Sequence, residues 1–299
     1  MRFLVGLFFP LVLLLVLVAC ASLLGYGFVQ LAGNVVGLDK VISKTTQLLL
    51  VLSIFPLKKY LQLSWQDLGF APRPLFFKQL LRGLGLSIVT LLPVLLTLYA
   101  LDVHVLDTSR NWTAAKIAEK VGLGLLLALL IALFEEIVFR GLLFTSLRRK
   151  MGVVLAIAIT SLYYAALHFL KSKTNIPFAE LSIGSGFTLM AEAFGNWLNP
   201  DILSAFISLC VVGVFLAVLR SQIPHSLGLC IGCHCGWVWQ IKVSKDVCNV
   251  NLESGYLYLV SNYDGVIGPM VSVWLAVAIG VFLLLRRLRE VGRIKTAMH

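Results

Sequence analysis

An all-α bundle of membrane-spanning helices is the fold class the sequence predicts, and three observations predict it. The 299 residues are 59% hydrophobic, with a mean hydropathy of +0.94. Only 13% carry charge, against roughly 25% in an average soluble domain. Several apolar runs approach the roughly 20 residues that a helix needs to cross a bilayer. Together these exclude a disordered chain and argue against a soluble globular enzyme. The 24 Gly and nine Pro follow no internal repeat, which sets aside collagen-like and solenoid architectures.

Eight runs read as spans, taken in order. The first, 3–32, follows the basic Arg2. Its Leu17-Val18-Ala19-Cys20 fits a lipoprotein cleavage box, but the apolar stretch continues through Ala21-Ser22-Leu23-Leu24, so an uncleaved helix is expected. Runs 41–57, 79–101, 121–145 and 152–170 come next, the first of these being short. The connection 171–200 contains Gly184, Ser185, Gly186 and Pro200 and is long enough to re-enter the membrane or cover a site. Runs 201–219, 226–241 and 267–285 complete the set; 226–241 is the weakest by hydropathy, being rich in Gly, Cys and Trp.

Placing Arg2 in the cytoplasm puts fifteen of the 25 basic residues inside, accompanied only by the acids Asp67 and Glu290. The outside then holds nine basic and ten acidic residues. The positive-inside rule therefore supports an even number of spans with both termini cytoplasmic, in keeping with the about eight read from the runs. The net charge of +11 is a topology signal, with anionic lipid as its natural partner, and does not point to nucleic acid. Of the six cysteines only Cys248 falls in an outer loop, so no disulfide framework is expected.

The fourth run, GLGLLLALLIALFEEIVFRGLLF, carries Glu135, Glu136 and Arg140 in its interior. Each charge at the bilayer centre costs about 2.5–3.5 kcal/mol on insertion scales. Three within six residues imply an interior polar cavity. On an α-helix, Glu136 and Arg140 are four apart and can pair, whereas Glu135 is turned roughly 100° from Glu136. A purely structural ion cluster needs one acid and one base; here a second acid is left over.

The fifth run adds His168, on one face with Tyr164, and the seventh adds His234 between Cys233 and Cys235. His168, close to Lys171, also fits an ordinary interfacial histidine. Counting about 1.5 Å per residue places Glu135, His168 and His234 roughly 20, 27 and 18 Å above the inner boundary. One glutamate and two histidines at a similar depth form a catalytic-type constellation.

The same residues admit rival chemistries. Cys230-Ile231-Gly232-Cys233-His234 matches CxxCH, the pattern of covalent haem attachment, but sits inside an apolar helix. A structural zinc on Cys230, Cys233, Cys235 and His234 requires converging side chains, and neighbouring helical positions diverge by about 100°. Glu135, His168 and His234 could form a catalytic zinc set, although no HExxH is present. Intramembrane acids and histidines also serve proton-coupled transporters, but the first three runs contain none of the acids.

Glu135-Glu136-Ile137-Val138-Phe139-Arg140-Gly141 resembles the EExxxR motif, in its longer form EExxFRG, of the CPBP (CAAX protease and bacteriocin-processing) intramembrane endopeptidases. Tyr164-Ala165-Ala166-Leu167-His168 is similar to their FxxxH motif, with Tyr for Phe. Ile231-Gly232-Cys233-His234-Cys235-Gly236-Trp237 is similar to their third motif, G-L-H-A-G-W-N. The resemblance divides the chain into N-terminal helices (1–120), a catalytic core (121–241), and an outer loop, last helix and basic tail (242–299).

It implies a glutamate-dependent peptide hydrolase with no cofactor and no metal. Glu135 would be the general base, and His168 would orient or share the water. His234 would donate to the oxyanion, and Glu136 would neutralise and orient Arg140. The partners implied are a membrane-associated protein or peptide substrate and the bilayer; a prokaryotic inner membrane is the location expected for this chain. The departure is Val238, where the family commonly has an Asn that is thought to help stabilise the oxyanion. Either another donor serves, such as the Trp237 indole or a backbone amide, or activity is reduced, as in an impaired immunity or scaffold protein.

Overall fold

A helix lies on each of the eight apolar runs in the computed structural model, which describes residues 2–33 and 35–297. They are α1 (Arg2–Ala32), α2 (Leu38–Tyr60), α3 (Arg73–Ala100) and α4 (Ala114–Glu136), the last continuing through a π-helical turn (Ile137–Leu143) into α5 (Phe144–Met151). Next come α6 (Val153–Leu167), a short α7 (Ser185–Gly195) within the long connection, α8 (Leu203–Gln222), α9 (Leu227–Val247) and α10 (Pro269–Ala297). Two strands, β1 (His104–Leu106) and β2 (Cys248–Val250), pair antiparallel with His104 opposite Val250. They tie the α3–α4 connection to the α9–α10 connection.

The protein is a multi-pass integral membrane protein: among the described residues, six helical segments are long and apolar enough to cross a bilayer. Two predicted spans fall outside that set. α6 has 15 residues, or about 22 Å of rise against a hydrocarbon core of about 30 Å. α9 is long enough, but its composition holds its hydropathy down.

Packing explains that composition. Gly228, Gly232 and Gly236 repeat every fourth residue along one face of α9 and press on α3. A Cβ on Gly83 of α3 would come 2.7 Å from the Cys233 amide nitrogen, and one on Gly232 would strike the Leu80 carbonyl group. Small residues let the two backbones touch, and close contact drives helix association where lipid removes the hydrophobic incentive. Polar bonds reinforce it: Trp237 Nε1–H donates to Thr90 Oγ1 at 2.8 Å, and Gln240 Nε2–H to Ser87 Oγ at 3.3 Å. On the neighbouring face α9 meets α4 through Ile231 and Cys235 against Ala128 and Ala132. α9 is thus clamped between α3 and α4, which fixes His234 opposite the acids.

Gly232→Ala should therefore force α3 and α9 apart. Overpacking of this kind costs about 1–3 kcal/mol or more, so the thermal unfolding midpoint in detergent should fall clearly. Gly85→Ala, whose Cβ meets nothing within 4 Å, should leave it near the wild-type value. Equal midpoints for the two variants would contradict this view of the interface.

Candidate active site

α4 delivers Glu135 and Glu136 at its last turn, immediately before the backbone widens into the π turn. Single π turns inside α-helices are uncommon and are often found at functional sites. Here the turn is braced from α8: Arg220 donates Nε–H to the carbonyl of Arg140 at 3.2 Å and Nη2–H to that of Asp67 at 2.9 Å. Arg220, one of the fifteen basic residues that the charge count places on the inner side, is 7% exposed and committed to these carbonyls. Gly69, at φ +100°, lies against its head, where a Cβ would come within 2.6 Å. The neighbouring Asp67 carboxylate accepts from the Ser64 hydroxyl and amide and pairs with Arg149. The Ser64 bonds, assisted by Arg149, hold this loop acid below its ordinary titration range.

Glu136 is fully buried and Arg140 is 1% exposed. Glu136 Oε1 accepts from Arg140 Nη1 at 3.1 Å and lies 2.9 Å from His234 Nδ1 on α9. Arg140 also donates Nη2–H to the Gly213 carbonyl of α8 at 3.2 Å, and its guanidinium carbon sits 4.5 Å from the Tyr164 ring centroid. Beside Arg140 the Glu136 carboxylate is an acceptor. His234 therefore donates Nδ1–H to it, which leaves Nε2 facing the site.

That nitrogen lies 3.8 Å from Glu135 Oε2. Glu135 differs from its neighbour in environment: its side chain is 31% exposed and borders a cavity of about 570 Å³. No protein group hydrogen-bonds its Oε2. His168 caps the end of α6, and its Nδ1 lies 2.7 Å from the Tyr164 carbonyl, so Nδ1–H donates there and Nε2 is left as the free nitrogen. No ion-pair contact joins His168 to Glu135; the two share the walls of the large cavity. The Tyr164 ring stands between the histidines, 4.6 Å from His168 and 6.0 Å from His234 by ring centroids.

A second cavity, of about 230 Å³, adjoins both histidines. His234, Tyr164, Trp237 and Val238 line it. His168 and Tyr263 border both cavities. Leu189, Met190, Ala193 and Phe194 of α7 form part of the wall of the large cavity, so the long 171–200 connection borders it. Its mouth carries Asp39, Lys40, Lys44 and Lys171, while Leu14, Val18, Leu50 and Phe139 form apolar wall.

The remaining sequence candidates separate. Cys230 and Cys233 pack into the core shared by α3, α6, α8 and α9, while Cys235 packs toward α4, so these sulfurs do not converge with His234. Among the described residues no group of three or more His, Cys, Asp or Glu side chains is arranged to hold a metal ion. The expected Trp237 donor needs correction: its indole N–H is already bound to Thr90. Three features were not read from the sequence: the Glu136–His234 bond, the π turn with its Arg220 brace, and Tyr263. The first two exist only in the folded bundle, and Tyr263 looks in sequence like an ordinary loop aromatic.

Residues 117–240 match the family model for type II CAAX prenyl endopeptidase, Rce1-like. The resemblance read from the three motifs is thereby borne out for this segment, which runs from α4 to α9 and contains Glu135, Glu136, Arg140, His168 and His234. The family is one of CAAX-type intramembrane proteases. No curated protein and no solved structure matches the chain.

Breaking the buried pair should be costly. Arg140→Met removes the permanent countercharge of Glu136 and leaves it only the His234 bond in an apolar interior, which should destabilise the fold by about 3–5 kcal/mol. Adding Glu136→Gln should restore much of that stability, since neither charge is then stranded. Chemical denaturation in mixed micelles measures both; an additive loss in the double variant would contradict the coupling.

Proposed function

We propose that this protein is an intramembrane endopeptidase that cleaves a membrane-associated protein or peptide with a water activated by Glu135. The observation that carries the reading is the pairing of unlike carboxyls. Glu136 is sealed, bound to Arg140 and His234, whereas the adjacent Glu135 side chain is 31% exposed on a cavity wall and turns its buried Oε2, which has no hydrogen-bond partner, to within 3.8 Å of His234 Nε2. Two carboxylates in different environments are suited to different tasks.

The chemistry follows. Water, held between Glu135 and His168 Nε2, loses a proton to Glu135 as its oxygen attacks the scissile carbonyl carbon. The carbonyl oxygen becomes an oxyanion and accepts a hydrogen bond from His234 Nε2–H. Because Nδ1–H is already given to Glu136, this donation requires His234 as the imidazolium. Glu135, Glu136, Arg140 and imidazolium His234 then sum to zero charge, which suits an apolar bundle. The C–N bond breaks as Glu135 returns its proton to the leaving amine. No covalent enzyme intermediate is formed.

The size and mixed lining of the large cavity support a peptide segment with an apolar part. A smaller apolar hollow shares Leu14, Leu50, Phe139 and Leu167 with it. The membrane proposed is a prokaryotic inner membrane, with the basic loops of the sequence on the cytoplasmic side. One observation favours a second reading, an impaired family member: Val238, an apolar residue, borders the smaller cavity where the family motif commonly has Asn.

The test is turnover by purified protein in proteoliposomes. The substrates are a quenched-fluorescent peptide with a farnesylated cysteine four residues from its C-terminus and an unprenylated transmembrane peptide. Cleavage of either is expected. It should be abolished in Glu135→Gln, reduced at least a hundredfold in His168→Ala and His234→Ala, unchanged in Cys235→Ala, and retained in strong chelator. Full activity of Glu135→Gln would refute the mechanism, and chelator sensitivity would point to zinc. Proton-coupled uptake without cleavage would favour a transporter.

A further inference from the structure

We infer that Tyr263, in the loop between β2 and α10, is a second oxyanion donor for the proposed hydrolysis, acting opposite His234. This rests on the peptidase reading. His234 offers one N–H to the developing charge, and acyl-transfer sites commonly use more than one donor. The nearby alternatives are spent or apolar: the Trp237 indole binds Thr90, and Val238 has no polar atom.

Tyr263 is placed differently. Together with His168 it borders both cavities, so it stands at the junction between the Glu135 side and the His234 side. Tyr164 borders only the smaller cavity, and its ring is pinned beneath Arg140. The Tyr263 ring packs on Phe169, the residue after His168, at 5.2 Å between centroids. Among the described residues its hydroxyl has no protein hydrogen-bond partner, although its backbone amide donates to Ser261 Oγ.

The loop that presents it is built rather than slack. Asp264 Oδ1 accepts from the amides of Val266 and Ile267 at 3.0 and 2.7 Å, and the Gly265 amide donates to the Ser261 carbonyl at 3.2 Å. Gly265 takes the left-handed φ of +76°. Buried His104, on β1, holds the Gly265 carbonyl through Nε2 at 2.8 Å. The two-stranded sheet thus anchors the turn carrying Tyr263. Tyr263 is 43% exposed at this junction; desolvation of its inner part, with Asp264 and then Glu135 as acidic neighbours, raises the phenol above its ordinary range. It therefore keeps its proton through the working pH range, as a hydrogen-bond donor must.

Two measurements decide it. In the proteoliposome assay with the farnesylated peptide, Tyr263→Phe should lower kcat about 10²–10³-fold, the usual loss of one oxyanion donor, with KM little changed. A kcat within twofold of wild type, while Glu135→Gln is dead, would overturn the donor and leave the peptidase reading standing. A rise in KM alone would make Tyr263 a binding residue and also overturn it. Independently of turnover, 13Cζ-tyrosine NMR in nanodiscs should show the Tyr263 titration shifting downward in Glu135→Gln. An unmoved titration would remove the phenol from the neighbourhood of Glu135 and overturn the inference.

Discussion

A single carboxylate oxygen, Glu136 Oε1, receives both the Arg140 guanidinium and the His234 imidazole inside an apolar bundle. A buried charge survives only when paired and hydrogen-bonded. The Arg140 contact neutralises it, and the His234 contact turns that neutralised pair into a positioning device. It selects which ring nitrogen of His234 carries the proton toward Glu136 and which faces Glu135. The geometry of the candidate site therefore depends on an acid that does not line the cavity.

The surrounding helices hold the two halves of this bond in register. Glu136 comes from the end of α4, where the π turn displaces the following residues, and Arg220 takes the Arg140 carbonyl within that turn. His234 comes from α9, whose position is set by glycine contacts with α3 and by small residues against α4. Arg140 reaches α8 at the Gly213 carbonyl. Three helices thus converge on one salt bridge. Glu135, one residue earlier, is turned out of this network toward the large cavity. Adjacent glutamates with opposite surroundings give the site one structural acid and one available acid.

Much of this was legible because charge inside an apolar run has few explanations. Glu135, Glu136, Arg140, His168 and His234 stand out against their flanks, and helical spacing suggests the Glu136–Arg140 pair. The bond from Glu136 to His234 joins residues 98 apart in sequence, and no local pattern encodes it. The π turn leaves no trace in hydropathy. Arg220 sits near a helix end beside other basic residues, so counting loop charges places it at the surface, whereas packing buries it. α9 read as the weakest span for a physical reason: the glycines that let it touch α3 lower its hydropathy. Tyr263 lies outside the motif-bearing segment, where an aromatic residue ordinarily marks only the membrane interface.

The shared carboxylate can be tested without any substrate. Protein labelled with 15N-histidine, reconstituted in nanodiscs, reports the protonation of each ring nitrogen of His234, assigned by loss of its signals in His234→Gln. The account predicts that Nδ1 is protonated and hydrogen-bonded in the wild type, and that this signature disappears in Glu136→Gln. A wild-type His234 with bare Nδ1 and a proton on Nε2, or a spectrum indifferent to Glu136, would contradict it.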